Sequence, residues 1–580
     1  MKKHVVSGDL EANGLLNQAT KIHCGVFKNL HTGEITRFTP DNIEKMLEFL
    51  DSVDELIIHN GFGYDLPLIE KLYNYSFKGK VIDTLVVSRL LNPKRIVPYN
   101  CPNKSATPHG LESWGYRVGR GKPEHDDWDN YSPAMLHRCE EDVHITELTY
   151  KYLFEEEAEK GNWKPAIEMS LALFNFLSQQ ERYAWKVDIE YMHKCVRQLD
   201  KWIERIDKAI VPQLPYMVEV NETKAKGEYG FIRKPFLKSG KPSASVEKWL
   251  EETGNTPDVV KGVFSRISFR KIDLNSNAEV KDYLLSQGWE PLEWNYNDNG
   301  EITSPKMSKD DPFEGINGKV GKLLAKRVQC RQRKSIIEGL INLIDSRGRI
   351  SSVVNNLAVT GRATHRNIVN IPKAGSFYGK QMRKFFICGE GKVLVGTDSD
   401  SCQLRMLGGR MGSEEYIQAI MTGDKSKGTD LHSLTKRIGE LESRDTAKKT
   451  MYCLLFGGGD DKLGKTAKKP GKGKQLREAL YNGFDGLGDL MSNLEKEWQS
   501  TAKKRYNHAF NRMEYYDGTI TGLDGRPITV PNRHQLLVYL LQSDEAIMMA
   551  AAYIKANIVL RQKYKYGVQF GFVAWYHKFL

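Results

Sequence analysis

The sequence predicts an α/β chain of several domains. Three observations carry that reading: a length of 580 residues, a break in charge near residue 150, and segments of strand-like period that alternate with segments of helical period. A chain of this length has material for more than one hydrophobic core. Residues 1–150 hold 17 Lys+Arg against 21 Asp+Glu, a net of −4, so the rest holds +16 of the chain's overall +12. An acidic unit joined to a basic body suits a metal-binding site beside a nucleic-acid surface. No run of about 20 apolar residues is read, and Lys2-Lys3 is followed by too little apolar sequence for a signal peptide, so no membrane partner is expected. The eight cysteines are scattered without metal-ligand spacing and read as buried thiols of a reducing compartment.

In the acidic unit, Val5–Glu11 reads as an opening strand with Asp9 and Glu11 on one face. Asp65 follows a second strand, Leu56–Asn60, after a Gly-Phe-Gly-Tyr turn. Asp142 lies in a segment with Ser132 as N-cap and Pro133 in the first turn of a helix. Four carboxylates placed this way can converge on two divalent metals, ~3.5–4 Å apart, the arrangement used for phosphodiester cleavage. Asp9-x-Glu11, His59-Asn-Gly-x-x-Tyr-Asp65, Val81-Ile-Asp83-Thr-Leu, His109-Gly-Leu-Glu-Ser-Trp-Gly-Tyr116 and Asp142 together resemble the 3′–5′ proofreading exonucleases of the DEDD superfamily. That resemblance implies a ribonuclease-H-like domain over 1–155. Its general base is a tyrosine or a histidine near the last aspartate. Arg138 stands four residues before Asp142, where the tyrosine subclass has its base, and His137 stands five before, as in the histidine subclass. His137 is the expected base, since imidazole titrates near neutrality; Arg138 is the alternative, as a contact to the scissile phosphate.

Residues 165–211 show helical periodicity, whereas about 213–275 are Pro/Gly/Lys-rich, as in Arg233–Pro242. A structureless stretch that long is unusual inside a compact domain, so an appendage with some structure of its own is expected. Residues 319–334 interleave seven cations (Lys319, Lys322, Lys326, Arg327, Arg331, Arg333, Lys334) with apolar positions. They predict an amphipathic helix whose basic face is either solvated or set against a phosphate backbone.

Four blocks follow in order. The first is Thr360-Gly-Arg362-Ala-Thr-His365 with Asn370-Ile-Pro372. The second, Val393-Leu-Val-Gly-Thr-Asp398-Ser-Asp400-Ser-Cys-Gln403, predicts a buried strand ending in acid. The third, Arg444-x-x-x-Lys448-x-x-x-Tyr452-x-x-x-Phe456-Gly457, sets two cations and two aromatics on one stripe of a helix, with His432 upstream. The fourth is Gly522-Leu-Asp524-Gly-Arg526 with Leu541-Gln542-Ser-Asp-Glu-Ala546, followed by Phe572–His577, read as a buried strand. This order resembles the family A (polymerase I-like) DNA polymerases of short-tailed (T7-like) bacteriophages.

The resemblance implies an exonuclease domain followed by a right-hand polymerase. Its parts are a thumb over 156–340 carrying the inserted loop, a palm over 341–410 and 521–580, and fingers over 411–520. It implies Mg²⁺ as cofactor, two ions per active site, and primer-template DNA and dNTPs as partners. Asp398 is the expected polymerase metal ligand, with Asp400 a secondary candidate, and Asp9, Glu11, Asp65 and Asp142 bind metal in the nuclease. Arg444, Lys448, Tyr452, His432 and Gln403 receive the nucleotide, with Gln403 in place of a sugar-screening glutamate. Arg362, Gln542 and His577 touch DNA. The thumb insertion is the place for a processivity factor or a further DNA contact. The expected location is the cytoplasm of an infected bacterial host.

In the family the last strand ends His-Asp-Glu, and here Lys578 follows His577. The resemblance therefore implies slow or absent primer extension and retained 3′ trimming. A complementing C-terminal polymerase fragment is expected if an intron or split intein interrupts the gene. A frameshift or a cut-back expressed chain are the other two origins. Two competing readings are an exonuclease whose polymerase half only holds DNA, and an inert DNA-binding remnant.

Overall fold

A computed structural model describes residues 3–563, apart from 104, 221–230, 233, 263, 266, 292, 298–300, 307–315, 317, 370 and 508–510. The chain divides into two compact units: Met1–Trp185 with Ile350–Val369 and Gly389–Leu580, and Lys186–Arg349 with Asn370–Cys388.

The first unit opens with strands β1 (Val5–Ala12), β2 (Ile22–Asn29), β3 (Ile35–Phe38), β4 (Glu55–Ile58) and β5 (Lys80–Asp83), and helices α1 (Lys45–Asp51), α2 (Asp65–Tyr73), α3 (Thr84–Leu91), α4 (Leu111–Arg117) and α5 (Pro133–Lys151). The sheet runs β3-β2-β1-β4-β5, antiparallel from β3 to β1 and parallel from β1 to β5. Period-two alternation in β1 sends Val6, Leu10 and Ala12 into one core and leaves Asp9 and Glu11 on the opposite face. Gly8 lies on the core side, and a Cβ there would stand 2.5 Å from the Phe27 ring. Helix α5 crosses that opposite face. Ser132 caps it by accepting from the Met135 amide, a contact worth about 1 kcal/mol, and Pro133 occupies the first turn. Ser7 Oγ donates to the Val143 carbonyl at 3.1 Å, which fixes the height of α5 over β1.

Helix α6 (Lys164–Tyr183), expected in the thumb, belongs to this unit. Its Ile167, Leu171, Phe174 and Leu177 join Ile57, Val87, Trp114 and Ile145 of the N-terminal elements in one core, together with Ala550 and Tyr553. A second core gathers Leu404, Leu407, Tyr416, Leu434, Met451, Leu455 and Leu480 with Leu537 and Leu541. The long helix Leu536–Lys563 contributes to both cores. Arg533–Lys563 is long and apolar enough to cross a membrane, which the sequence reading did not recognise. Just over half of its most apolar window is buried within the protein, and it carries the buried acids Asp544 and Glu545, so it is a core helix.

Residues 392–400 depart from expectation. Val393 and Val395 are 81% and 83% exposed, and the segment leading to Asp398 forms no strand. A strand needs a neighbour to take its backbone hydrogen bonds, and no described strand pairs with this segment. The expected strand Phe572–His577, and with it His577, lies outside the described residues, as does Asn370.

The second unit is built on α7 (Ile189–Ile210) and the helix Lys319–Ile341, which pack through Ile206, Ile210, Leu324 and Val328. The basic helix exists as expected, but part of its charge faces inward. Arg327, 5% exposed, holds Asp207 and the Leu274 carbonyl; Arg333 donates to the Phe377 carbonyl; Lys334 pairs with Asp200 at 2.6 Å. The acids of α7 determine this, a feature that the spacing of the cations alone does not reveal. The insertion has structure of its own: a strand pair Tyr216–Val220 with Ile267–Lys271, and a helix Ala244–Thr253.

Candidate active sites

The first site lies where β1 meets α5. Ligand oxygens of Asp9, Glu11 and Asp142 all fall within 4.8 Å of one another, the one such group of metal-ligating side chains among the described residues. Crowding like charges out of water disfavours ionisation. Burial, then the charges of Asp142, Asp65 and Glu11, raise the Asp9 carboxyl well above its ordinary range. Burial likewise pushes Glu11 up to about 7, with Asp142 adding to it. Asp65 begins α2, 3% exposed, and burial lifts it to about 8. Its carboxylate is turned partly toward the Leu10 amide, so it stands beside the group of three rather than inside it.

Two cations balance this charge. Lys122 pairs with Asp142, and Arg138 Nε lies 3.4 Å from Glu11. Arg138 is further fixed by the Pro123 carbonyl and by the Trp128 ring at 5.1 Å. His137, the expected base, is exposed and neighbours Glu140 and Glu141 on the helix. The i−4 position stands over Asp142 on the helix, and the i−5 position is rotated away from it. The sequence reading missed Lys122, because residues 119–131 carry no periodicity that would place it.

The flanking motifs hold the scaffold. Asp83 accepts from the amides of Asn60, Phe62, Leu85 and Val86, which ties the turn before Asp65 to the start of α3. His59 Nδ1 meets Thr84 Oγ1 at 2.8 Å, and burial holds that histidine down at about 3. His109, Ser88 and Trp114 form a buried chain of hydrogen bonds at 2.9 and 3.2 Å.

The second site is set by the helix Arg444–Leu455, capped by Ser443, which accepts from Thr446 N. Arg444, Lys448 and Tyr452 share one stripe, and the Phe456 ring stacks on Tyr452 at 6.0 Å and 16°. The helix stops there because Gly457 adopts φ +71°, and a Cβ would fall 2.3 Å from the His534 carbonyl oxygen. His432 lies 6.3 Å from Tyr452, with its Nδ1 buried and lacking a hydrogen-bond partner among the described residues. Burial and the charges of Arg444 and Lys448 lower its pKa against the opposing charge of Asp430, which favours the neutral ring. Asp430, unnoticed in the sequence, caps the helix bearing His432 and grips Arg444 at 2.7 Å. Burial opposes its ionisation, but the hydrogen bonds from Arg444 and Ser433 hold it at about 2. Lys448 is exposed.

Arg362 and Gln403 meet through a residue the sequence reading left without a role. Glu545, 7% exposed, accepts from Arg362 Nη2 at 2.6 Å and from Gln403 Nε2 at 2.9 Å. Gly361 precedes this arginine with φ +75°, and a Cβ there would stand 2.8 Å from Arg526, whose guanidinium is clamped by Asp524. Gln542 is half-buried one turn earlier on the long helix. Asp398 and Asp400 are exposed; Ser401, which follows them, hydrogen-bonds the Tyr452 hydroxyl.

Comparison with known proteins places these features in a family. The model of "DNA polymerase family A" matches residues 245–534. The DNA-directed DNA polymerase of Escherichia phage T7 is 26% identical across 99% of this chain and 93% of its own length. That of Enterobacteria phage T3 is 26% identical across 98% and 92%. Among solved structures, the POL domain of Pol1 from M. smegmatis, in complex with DNA primer-template and dNTP, superposes with a TM-score of 0.66 over 99% of this chain and 88% of that one. At 15% identity that likeness speaks for the fold alone. With its ordered blocks, its stacked stripe helix and a family match across half its length, the chain belongs to DNA polymerase family A.

Proposed function

We propose that the chain is a phage replicative DNA-directed DNA polymerase with a 3′–5′ proofreading exonuclease, acting on primer-template DNA and dNTPs in the cytoplasm of an infected bacterium. The observation that carries the reading is the stripe of Arg444, Lys448, Tyr452 and stacked Phe456 beside His432. In this reading Lys448 and Arg444 stabilise negative charge that shifts onto the departing pyrophosphate. Tyr452 and Phe456 receive base and sugar, and neutral His432 donates one further hydrogen bond to a phosphate. Arg362 and Gln542 contact DNA, and Gln403 faces the nucleotide sugar. Asp430 keeps Arg444 aimed along the stripe.

In the nuclease, Asp9, Glu11 and Asp142, with Asp65 beside them, would hold Mg²⁺. The donor set fits: all are hard oxygens, and Asp142 Oδ1 is buried without a hydrogen-bond partner among the described residues. Asp398 is the proposed ligand in the polymerase half. Divalent ions, when bound, supply water activation and stabilise the leaving oxygen. Arg138, turned toward Glu11, is proposed to orient the scissile phosphate. The insertion at 213–275 is the proposed seat of a processivity factor.

A second reading, a 3′–5′ exonuclease whose polymerase half only holds DNA, draws support from the exposed, strandless segment around Asp398. The test is a labelled primer-template with Mg²⁺, with and without the four dNTPs. Lengthening with dNTPs and shortening without them supports the proposal and overturns the slow or absent extension expected from the sequence. Shortening in both lanes selects the second reading, and an unchanged primer in both overturns the two together.

A further inference from the structure

We propose that the hairpin of Lys503–Asn507 and Arg512–Tyr516 is a platform for single-stranded DNA. It forms a two-stranded sheet of its own between the helix Leu487–Thr501 and the next hairpin, Gly518–Thr521 with Pro527–Val530. Its register pairs Lys504 with Tyr515 and Tyr506 with Met513, and cross-strand partners share a face. That face is therefore Lys504, Tyr506, Met513 and Tyr515. All four are exposed, the last three at 46%, 50% and 37%. No acid stands among them. On the opposite face Lys503 pairs with Asp517, and Arg505 with Glu514.

A two-stranded ribbon gains stability from apolar residues only if it lays them on something. Here two aromatic rings and a thioether keep 37% to 50% of their surface exposed, which core packing does not account for. The rings are nevertheless held in place. The Tyr506 hydroxyl engages Asn511 at the turn; the Lys504 ammonium sits 5.4 Å from the Tyr515 ring; Tyr515 lies 6.5 Å from Trp498, which is 2% exposed and anchored to the Val530 carbonyl. Fixed, exposed aromatic faces beside a cation are what unpaired bases and their phosphates require: stacking that tolerates any sequence, and a charge for the backbone. A duplex buries its bases and offers this face nothing to stack on. The occupant is therefore unpaired nucleic acid, and in a family A polymerase that is single-stranded DNA. This inference stands apart from the roles proposed for the two active sites.

The test uses the full chain with EDTA, which withholds metal from the nuclease, and fluorescence anisotropy on two substrates. One is a primer-template with a 5′ overhang of about 16 nucleotides, the upper end of such site sizes; the other is the blunt duplex. Y506A/Y515A is expected to weaken the overhang substrate at least about tenfold while leaving the blunt duplex unchanged. Y515F keeps its ring without disturbing the Tyr506–Asn511 anchor and retains full binding. K504A lowers the salt dependence on the overhang substrate by about one unit of slope. Equal weakening on both substrates, no weakening on either, or a loss in the phenylalanine variant overturns the proposal. Y506A alone repeats the test without touching the Trp498 contact.

Discussion

The carboxylate cluster of the N-terminal sheet and the acidic segment around Asp398 contrast sharply. Asp9 and Glu11 ride on a central strand with neighbours on both sides, under a capped helix that fixes Asp142. Asp398 and Asp400 lie on an exposed segment that pairs with no described strand. The N-terminal sheet and α5 hold like charges together at the cost of raised pKa values. Around Asp398 no comparable carboxylate group is assembled among the described residues, whereas the stripe of Arg444–Leu455 is organised. Preorganised carboxylates thus need a sheet beneath them, and an apolar sequence alone does not make one.

Four experiments test that contrast. Replacing Asp9 and Glu11 with Ala removes most of the nuclease donor set and should lower 3′ trimming on the order of a thousandfold, with DNA affinity kept; gel-resolved trimming measures it. Trimming within tenfold of the parent would show the carboxylates to be a structural cluster.

Next in size is stability. Ile57→Ala, at a fully buried position of strand β4, should cost about 2–5 kcal/mol, whereas Val395→Lys should change stability by less than about 0.5 kcal/mol. Denaturant melts of the two variants settle whether residues 392–400 are as unsupported as they look. A large loss in Val395→Lys would mean the segment packs as a strand in solution.

Arg138→Ala should slow trimming by about tenfold, a loss equivalent to one phosphate contact. His137→Ala should leave both the rate and its pH profile unchanged. A flattened pH profile in His137→Ala would return the histidine to the role expected from sequence.

The smallest effect is the coupling of pH to metal. Glu11 and Asp65 have folded-state pKa values of about 7 and 8, above their ordinary 4.5 and 3.8. Between about pH 4 and 8 the folded chain therefore binds more protons than the unfolded chain. The stability they confer is fully present below pH 4 and is lost as pH rises through 7 to 8. Mg²⁺ should consequently raise the melting temperature by several degrees at pH 8 and by little at pH 5. Equal shifts at both pH values would contradict the charge crowding described here.

Much of this was legible in the sequence. Period two placed Asp9 and Glu11 on one face, Ser132 and Pro133 marked the start of α5, and i+4 spacing made the nucleotide stripe. What could not be read were partners across long separations. Glu545 lies 183 residues from Arg362, with which it pairs, and Asp207 lies 120 from Arg327. Lys122 sits in a loop without period. The strand expected before Asp398 failed for the same reason: its apolar residues were visible, but whether a neighbour lies beside them is a matter of topology.

The long helix Leu536–Lys563 also bears on how the molecule is made. Ala550 and Tyr553 pack on the core shared by α6 and the N-terminal elements, and the Tyr553 hydroxyl reaches Gln180 at 3.0 Å. During synthesis, residues 1–185 leave the ribosome well before these two are translated. At about 5–20 residues per second the delay is roughly 20 to 70 seconds. Through that interval the N-terminal body presents to water the apolar face that Ala550 and Tyr553 later cover.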